Sequence, residues 1–338
     1  VSKEKSQFEN VTMPTAEGAM AKKKTGPSLP AGFSVGQSLE KEKPVSRAES
    51  VKSFLPSFLS QVDLEGKIEK EKKAQMEKEG INYDLYLLIK NKLAGEFREK
   101  LERKNLVDQY NIPKCYDILK QCSLADSIKE NPKLYTPNSR DLQFISNNLR
   151  EFFPKIEETD YSSLGVFLNS FIHAYFNSVP QEERNDLKLY LPNTKDLDYI
   201  GTELSFGELR VDGVKDFFGF NAHGETVLKA QEVGDFAGFK AHGKALIEAK
   251  KVKDYFGFQA HGEAVLKTKK AQDNFGSHAH EKVLIEAETV GWDAGDRITG
   301  EAQVLIKKNY ASVGDIRRGD SKVILPDGRI LKAGESVF

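Results

Sequence analysis

Cysteine is nearly absent: Cys115 and Cys122 are the only two in 338 residues. On one helix they would stand about 10 Å apart, too far for a disulfide. Two thiols also cannot supply the four ligands of a common iron–sulfur site. A reducing, cytoplasmic compartment is therefore expected. Long apolar runs are missing too. None approaches the roughly 20 residues of a membrane span, and the opening VSKEKSQFENVTM lacks the apolar core of a secretion signal. Neither sign of charge dominates: 50 Lys and Arg against 51 Asp and Glu leave a formal net charge of −1. No global field draws the chain to nucleic acid or a membrane, so neither is an expected partner. No Walker loop, no dinucleotide fingerprint and no nucleophile elbow occurs, and no catalytic residue is assigned.

What is present is a soluble composition, 39% apolar and 30% charged, in a chain long enough for two or three domains. Three regions follow. Residues 1–48 are polar, rich in Lys, Glu, Ser, Gly and Pro, and without apolar periodicity, which predicts a disordered tail. Residues 49–195 carry helical patterns. SRAESVKSFLPSFLSQV sets Phe54, Leu55 and Phe58 at helical spacing, with Pro56 kinking or splitting the helix. GKIEKEKKAQMEKEG is almost all polar, a solvated helix or a linker. From Asn82 to Lys104 one amphipathic helix is expected, with Leu85, Leu88, Ile89, Leu93 and Phe97 in a single stripe. Three more helices follow, in PKCYDILKQC, SRDLQFISNNLREFF and YSSLGVFLNSFIHAYFNSV, with Ser139 and Asp160 as caps for the last two. His173 on the last is expected as a core or boundary residue. The stripes at Phe54, Leu55 and Phe58 and at Leu85, Leu88 and Ile89 are the candidate contacts for a protein partner.

From about 200 to 330 the chain repeats every 19 residues. Glycines fall in columns, beginning Gly219, Gly238, Gly257 and Gly224, Gly243, Gly262. An apolar column runs Leu209, Leu228, Ile247, Leu266, Ile285, Val304, Val323, and a second begins two residues later at Val211 and Ala230. Self-similarity at this period marks a solenoid. The alternation within VLKA-type segments, bounded by glycine, predicts one strand per coil of a parallel β-helix. Leu228 and Ala230 then point in and Lys229 out. Charges in the outer columns mostly change sign from coil to coil, as in Arg210, Lys229, Glu248, Lys267, Glu286 and in Glu225, Lys244, Glu263, Lys282, Glu301. Opposite signs on neighbouring strands stabilise by about 0.2–1 kcal/mol per pair. Aromatic columns form at Phe217, Phe236, Tyr255 and at Phe220, Phe239, Phe258; core packing is the expected role.

The phrases GFNAHGETVLKAQEVGD and GFKAHGKALIEAKKVKD resemble the GXGXG repeat domain, found at the C-terminus of the large subunit of glutamate synthase and in one of the subunits of formylmethanofuran dehydrogenase. DYIGTELSFGELRVDG is similar to an opening coil of that pattern, and the resemblance covers about 195–330. The family's middle glycine is Asn221, Lys240 and Gln259 here, and its doubled glycine is single. The resemblance implies a right-handed β-helix that is structural and carries no catalytic residues, in the setting of a redox enzyme complex.

One column could carry chemistry. His223, His242, His261 and His280 recur at the 19-residue period, with His278 beside the last. Stacked rings that shield the backbone are one reading. A zinc or iron site is the other, since neighbouring rings could turn toward one ion at about 2.0–2.1 Å per nitrogen. No Asp, Glu or Cys column runs alongside, and stacking is the expected role, so no cofactor is assigned. Lys250, Lys251, Lys253, Lys267, Lys269 and Lys270 make the only basic patch, expected to be a solvated edge. Trp292 stands where the column has Asp.

The fold class expected is α+β and multidomain: a disordered tail over 1–48, an α-helical domain over 49–195, and a parallel β-helix of about seven 19-residue coils over 196–338. The function expected is a non-catalytic scaffold or protein-interaction subunit. The alternatives are a metal-binding module or metal-dependent enzyme, and an accessory subunit of a redox complex. A C-terminal coil left uncovered would favour a homodimer.

Overall fold

A computed structural model describes residues 66–103, 136–154, 161–317 and 319–335. The expected tail, the kinked helix at Phe54, Leu55 and Phe58, the PKCYDILKQC helix and both cysteines lie outside the described residues. The helices are α1 (66–78), α2 (Tyr83–Leu88), α3 (Ala94–Arg103), α4 (Ser139–Asn147), α5 (Leu149–Phe152) and α6 (Tyr161–Asn177). A 3₁₀ turn, Gln181–Asp186, leads into the strands. These are β1 (Lys188–Leu191), β2 (Glu208–Val214), β3 (Val227–Val233), β4 (Leu246–Val252), β5 (Val265–Lys270), β6 (Leu284–Thr289), β7 (Gln303–Asn309), β8 (Lys322–Ile324) and β9 (Ile330–Leu331).

The strands form one sheet in sequence order. β1 to β8 pair in parallel, and β9 folds back antiparallel on β8. The chain is thus a parallel β-solenoid of about seven coils preceded by helices. From β2 to β6 every register is the 19-residue period: Leu209 faces Leu228, Leu228 faces Ile247, Ile247 faces Leu266 and Leu266 faces Ile285. The sheet begins before the period does. Leu189 of β1 faces Leu209, an offset of 20, so the first strand lies inside the stretch expected to be helical. One extra residue hides it from a search at fixed period. A bulge between β6 and β7 likewise moves the pairing from Ala287–Ile306 to Thr289–Asn309.

The inner columns are the expected ones. Leu209, Leu228, Ile247, Leu266, Ile285, Val304 and Val323 are all fully buried, and Val211, Ala230, Ala249, Thr268, Ala287, Ile306 and Leu325 are buried beside them. Burying each Leu or Ile is worth about 1.5–3 kcal/mol. A further inner column, Phe218, Ala237, Phe256, Phe275 and Ala294, escapes a reading by residue type because it mixes Phe with Ala. Phe220 is buried, as the aromatic columns are expected to be, but not together with Ala222. Ala222 is in the main core, whereas Phe220 joins Tyr199, Phe239 and Val166 in a separate cluster, with Phe217, Phe236 and Phe258 packed on it. The reason is local: Phe217, Gly219, Asn221 and Gly224 all have left-handed backbone, at φ +60°, +67°, +55° and +64°. Such residues turn the chain, and strand parity fails there.

Two glycine columns serve these turns. A Cβ on Gly219 would stand 2.6 Å from Leu228 Cδ1 inside the coil, and one on Gly243 would stand 3.1 Å from the backbone nitrogen of Gly224 in the coil before.

The helices cover the first coil. Gly165 lets α6 approach so closely that a Cβ there would lie 1.7 Å from the carbonyl oxygen of Asp198. Asn169 Nδ2 donates to Thr202 O at 3.1 Å, and Asn169 Oδ1 accepts the N–H of Gly201 at 3.1 Å. His173 Nε2 meets the same Thr202 carbonyl at 2.8 Å, at the boundary expected of it. One continuous core runs from Met76 to Leu325. The long amphipathic helix is continuous from Tyr83 to Arg103, as expected: Asn82 caps α2, Ile89–Leu93 form a π-helical turn within it, and α3 follows. Leu85, Ile89, Leu93 and Phe97 are buried in the core, and Leu88 is packed against it. Ser139 is not the cap of α4. Asn138 is, in a reciprocal capping box with Asp141. The all-polar GKIEKEKKAQMEKEG is the helix α1, anchored by buried Met76.

Candidate functional site: the histidine column

Each histidine sits at a corner, one residue before a left-handed glycine in three of the coils and before left-handed Glu281 in the fourth. Its backbone N–H belongs to the coil-to-coil ladder. His242 donates to Ala222 O at 2.9 Å and His261 to Ala241 O at 2.9 Å. Stacking follows from the spacing of coils, about 4.8 Å. Ring centroids lie 5.1 Å apart for His223 and His242, 4.9 Å for His242 and His261, and 4.9 Å for His261 and His280. The planes are within 10° of parallel.

Each Nδ1 faces the carbonyl oxygen two residues earlier: Asn221, Lys240, Gln259 and His278, at 3.2, 3.2, 3.3 and 3.4 Å. A carbonyl only accepts, so Nδ1 carries the proton and Nε2 keeps the lone pair. That lone pair lies in the ring plane. Parallel planes about 5 Å apart aim their lone pairs side by side, and they do not converge on an ion held at about 2.0–2.1 Å. Among the described residues no group of three or more His, Cys, Asp or Glu side chains is placed to hold a metal ion.

His278 is not a member of the column. It takes the left-handed corner, φ +57°, in line with Asn221, Lys240 and Gln259, and packs on the Phe258 ring at 4.9 Å. With Lys240, Gln259, His261 and His280 it lines a recess of about 240 Å³. Burial lowers the His261 pKa, and the facing rings of His280 and His242 lower it further against the hydrogen bond to Gln259. Burial and the Arg297 guanidinium hold His278 low, against Asp296.

At another corner of the coils runs a ladder whose role only the structure reveals. Asp198, Asp216, Asp235, Asp254 and Asp273 each accept the backbone N–H of the next coil through Oδ1, at 3.0, 2.6, 3.2, 3.0 and 2.8 Å. The last donor is Trp292, which ends the column: its backbone takes the bond and its side chain is exposed. The spacing was visible in the sequence; the direction of the carboxylates was not. A stacked aromatic ladder, Tyr199, Phe217, Phe236 and Tyr255, has centroids 4.6–5.0 Å apart.

Of the expected contact residues, Leu85 and Ile89 are occupied by the chain's own core and Leu88 borders it. Among the described residues no helix is long and apolar enough to cross a membrane. Comparison with known proteins gave no match, whether to a family model, a curated sequence or a solved structure.

Proposed function

We propose that the chain is a non-catalytic scaffold or protein-interaction subunit, with the solenoid as its rigid body. One observation carries this reading: the histidine and aspartate columns, where catalytic or metal chemistry would be sought, are engaged in holding coil to coil. The histidines stack and bond their own backbone, and the aspartates bond the next coil's N–H groups. The scarcity of cysteine supports a reducing, cytoplasmic setting. The test is affinity purification of the full chain from native lysate, with mass spectrometry and metal analysis of the eluate. A protein partner recovered at constant stoichiometry, without metal, is the expected result. Near-stoichiometric zinc or iron, lost on His242→Gln with His261→Gln, would replace this reading with the metal-binding one.

A second reading, an accessory subunit of the GXGXG kind in a redox complex, is favoured by the backbone. Asn221, Lys240 and Gln259, which stand where that family has glycine, adopt the left-handed conformation glycine favours, at φ +55°, +57° and +56°. Flavin, iron–sulfur or molybdopterin proteins in the same eluate would support it, and their absence from repeated preparations would remove it.

A further inference from the structure

Ion pairs along the solenoid follow a rule of alternation. Lys229 lies 3.3 Å from Glu208 and 3.6 Å from Glu248. Lys244 meets Glu225 at 3.3 Å, Lys307 meets Glu286 at 3.1 Å, and Lys308 meets Glu288 at 2.6 Å. Opposite signs on neighbouring strands stabilise a sheet, and like signs facing each other destabilise it. Like signs face each other at Arg210 and Lys229, but there Glu208 pairs with both. The β4 and β5 coils break the rule without such a bridge. Lys251 and Lys270 are direct register partners, and Lys250 and Lys269 repeat the fault one residue away. Lys251 has a counter-ion in Glu232, at 2.7 Å, but Glu232 also serves Lys195 at 3.8 Å. Among the described residues no carboxylate stands within 4.0 Å of the Lys250, Lys253, Lys267, Lys269 or Lys270 ammonium. In a chain of net charge −1 this gathering does not come from a basic composition. A local rule broken at a cost to the fold, with no gain inside it, points to a task outside it.

The surface there is grooved. A groove of about 400 Å³ is lined by Lys195, Lys215, Lys251, Lys253 and Lys270 against two carboxylates, Asp196 and Glu232. Buried Val214, Val233 and Val252 line it as well. A second groove, about 320 Å³, mixes Lys250, Lys267 and Lys269 of the same two coils with Glu248, Glu286 and Glu288. Lys267 there keeps the alternation between Glu248 and Glu286, and the first groove is the more basic. The nearby Asp235 does not neutralise the lysines fully, since its Oδ1 is turned to the Asp254 N–H. No aromatic residue lines either groove. Stacking platforms, which single-stranded nucleic acid uses, are therefore missing. The β4 and β5 backbones are paired on both edges, so a partner strand cannot add to the sheet there.

The geometry points to an acidic polypeptide segment as the occupant: an extended, carboxylate-rich stretch of a partner protein lies across Lys251, Lys253 and Lys270. Its carboxylates supply the charges that the coils leave unmatched. This rests on the interaction reading above and gives its partner a chemistry.

The test uses the full chain, a fluorescein-labelled deca-glutamate peptide and a labelled oligothymidylate, followed by anisotropy. Saturable peptide binding is expected at about 50 mM salt and a marked loss at about 300 mM, where the screening length is shorter. Lys270→Glu restores alternation against Lys251. It is expected to weaken the peptide roughly fivefold or more, while raising Tm by up to about 2 °C. Lys332→Glu, away from the groove, leaves both unchanged. Absence of saturable binding, equal binding by Lys270→Glu, or tighter binding of the oligothymidylate would each overturn the inference. Should Lys270→Glu fail to fold, Lys270→Gln and Lys253→Gln decide the same point. A native partner recovered by affinity purification while the peptide fails to bind removes the groove and leaves the scaffold reading standing.

Discussion

Asp235 shows how a single side chain is held in tension. Its Oδ1 accepts the Asp254 N–H at 3.2 Å, while its own N–H is bound by Asp216 at 2.6 Å. Burial raises its pKa, the Asp254 N–H and Lys253 oppose that rise, and the like charges of Asp216 and Asp254 add to it. A carboxyl whose pKa is raised on folding binds its proton more tightly in the native state. Its contribution is therefore greatest in acid and declines as pH rises through the carboxylate range. Asparagine keeps an acceptor oxygen and removes the charge. Asp235→Asn is expected to be neutral or stabilising at pH 7, with its advantage over the wild type shrinking toward pH 3.5 in urea titrations. Asp235→Ala, which leaves the Asp254 N–H without its acceptor, is expected to cost about 1–2 kcal/mol. An equal loss from both substitutions would show that charge, not the acceptor, matters at this position.

At the scale of one element, the corner of a coil unites the left-handed glycine and the stacked histidine. Gly243 has φ +64° and its Cα faces the Gly224 backbone. Gly243→Ala is expected to lose about 1–2 kcal/mol, read from the denaturant midpoint, through the left-handed penalty alone, and more if the coils must part. The histidine ladder makes these corners sensitive to acid. The His261 pKa lies below its ordinary value, through burial first and then through His280 and His242. For a base lowered on folding, the unfolded chain takes up protons first. Stability is then full above the ordinary histidine range and declines as pH falls through it. Between pH 7.5 and 5.5 the amides of His242, His261 and His280 should exchange faster, after correction for intrinsic rate. His261→Gln should flatten that slope. Protection unchanged across the interval would mean that the protonated rings find counter-ions as they stand.

For the whole described molecule, the important fact is that the helices and the coils share one core. A solenoid buries each coil only against its neighbours, so its first coil needs a cover. α6 provides it, through Gly165 on Asp198 and Asn169 and His173 on the turn at Thr202. Gly165→Ala would place a Cβ 1.7 Å from the Asp198 oxygen. It is expected to cost about 1–3 kcal/mol by overpacking. The loss should appear in helical circular dichroism and in amide exchange of β7 together. Helices that melt early while β7 keeps its protection would show that the cover and the far coils unfold separately.

The amino-acid sequence determined the solenoid because a 19-residue period is written in residue types, and stacking like on like is the direct physical consequence of that period. Leu228 inside and Lys229 outside follow from strand parity alone. Parity ends at the corners. Left-handed residues such as Asn221 and Lys240 carry no distinctive side-chain signal, so the separation of Phe220 from the main core into a second cluster is not legible in the sequence. The first strand, one residue out of period, was hidden for the same reason that the others were plain. The aspartates could be counted along the chain, but a carboxylate acquires its role only when folding sets an N–H before it. So it was with the lysines of β4 and β5. Their spacing was legible, and only the sheet register set Lys251 against Lys270, because the sign of a charge is local and its neighbours are chosen by the fold.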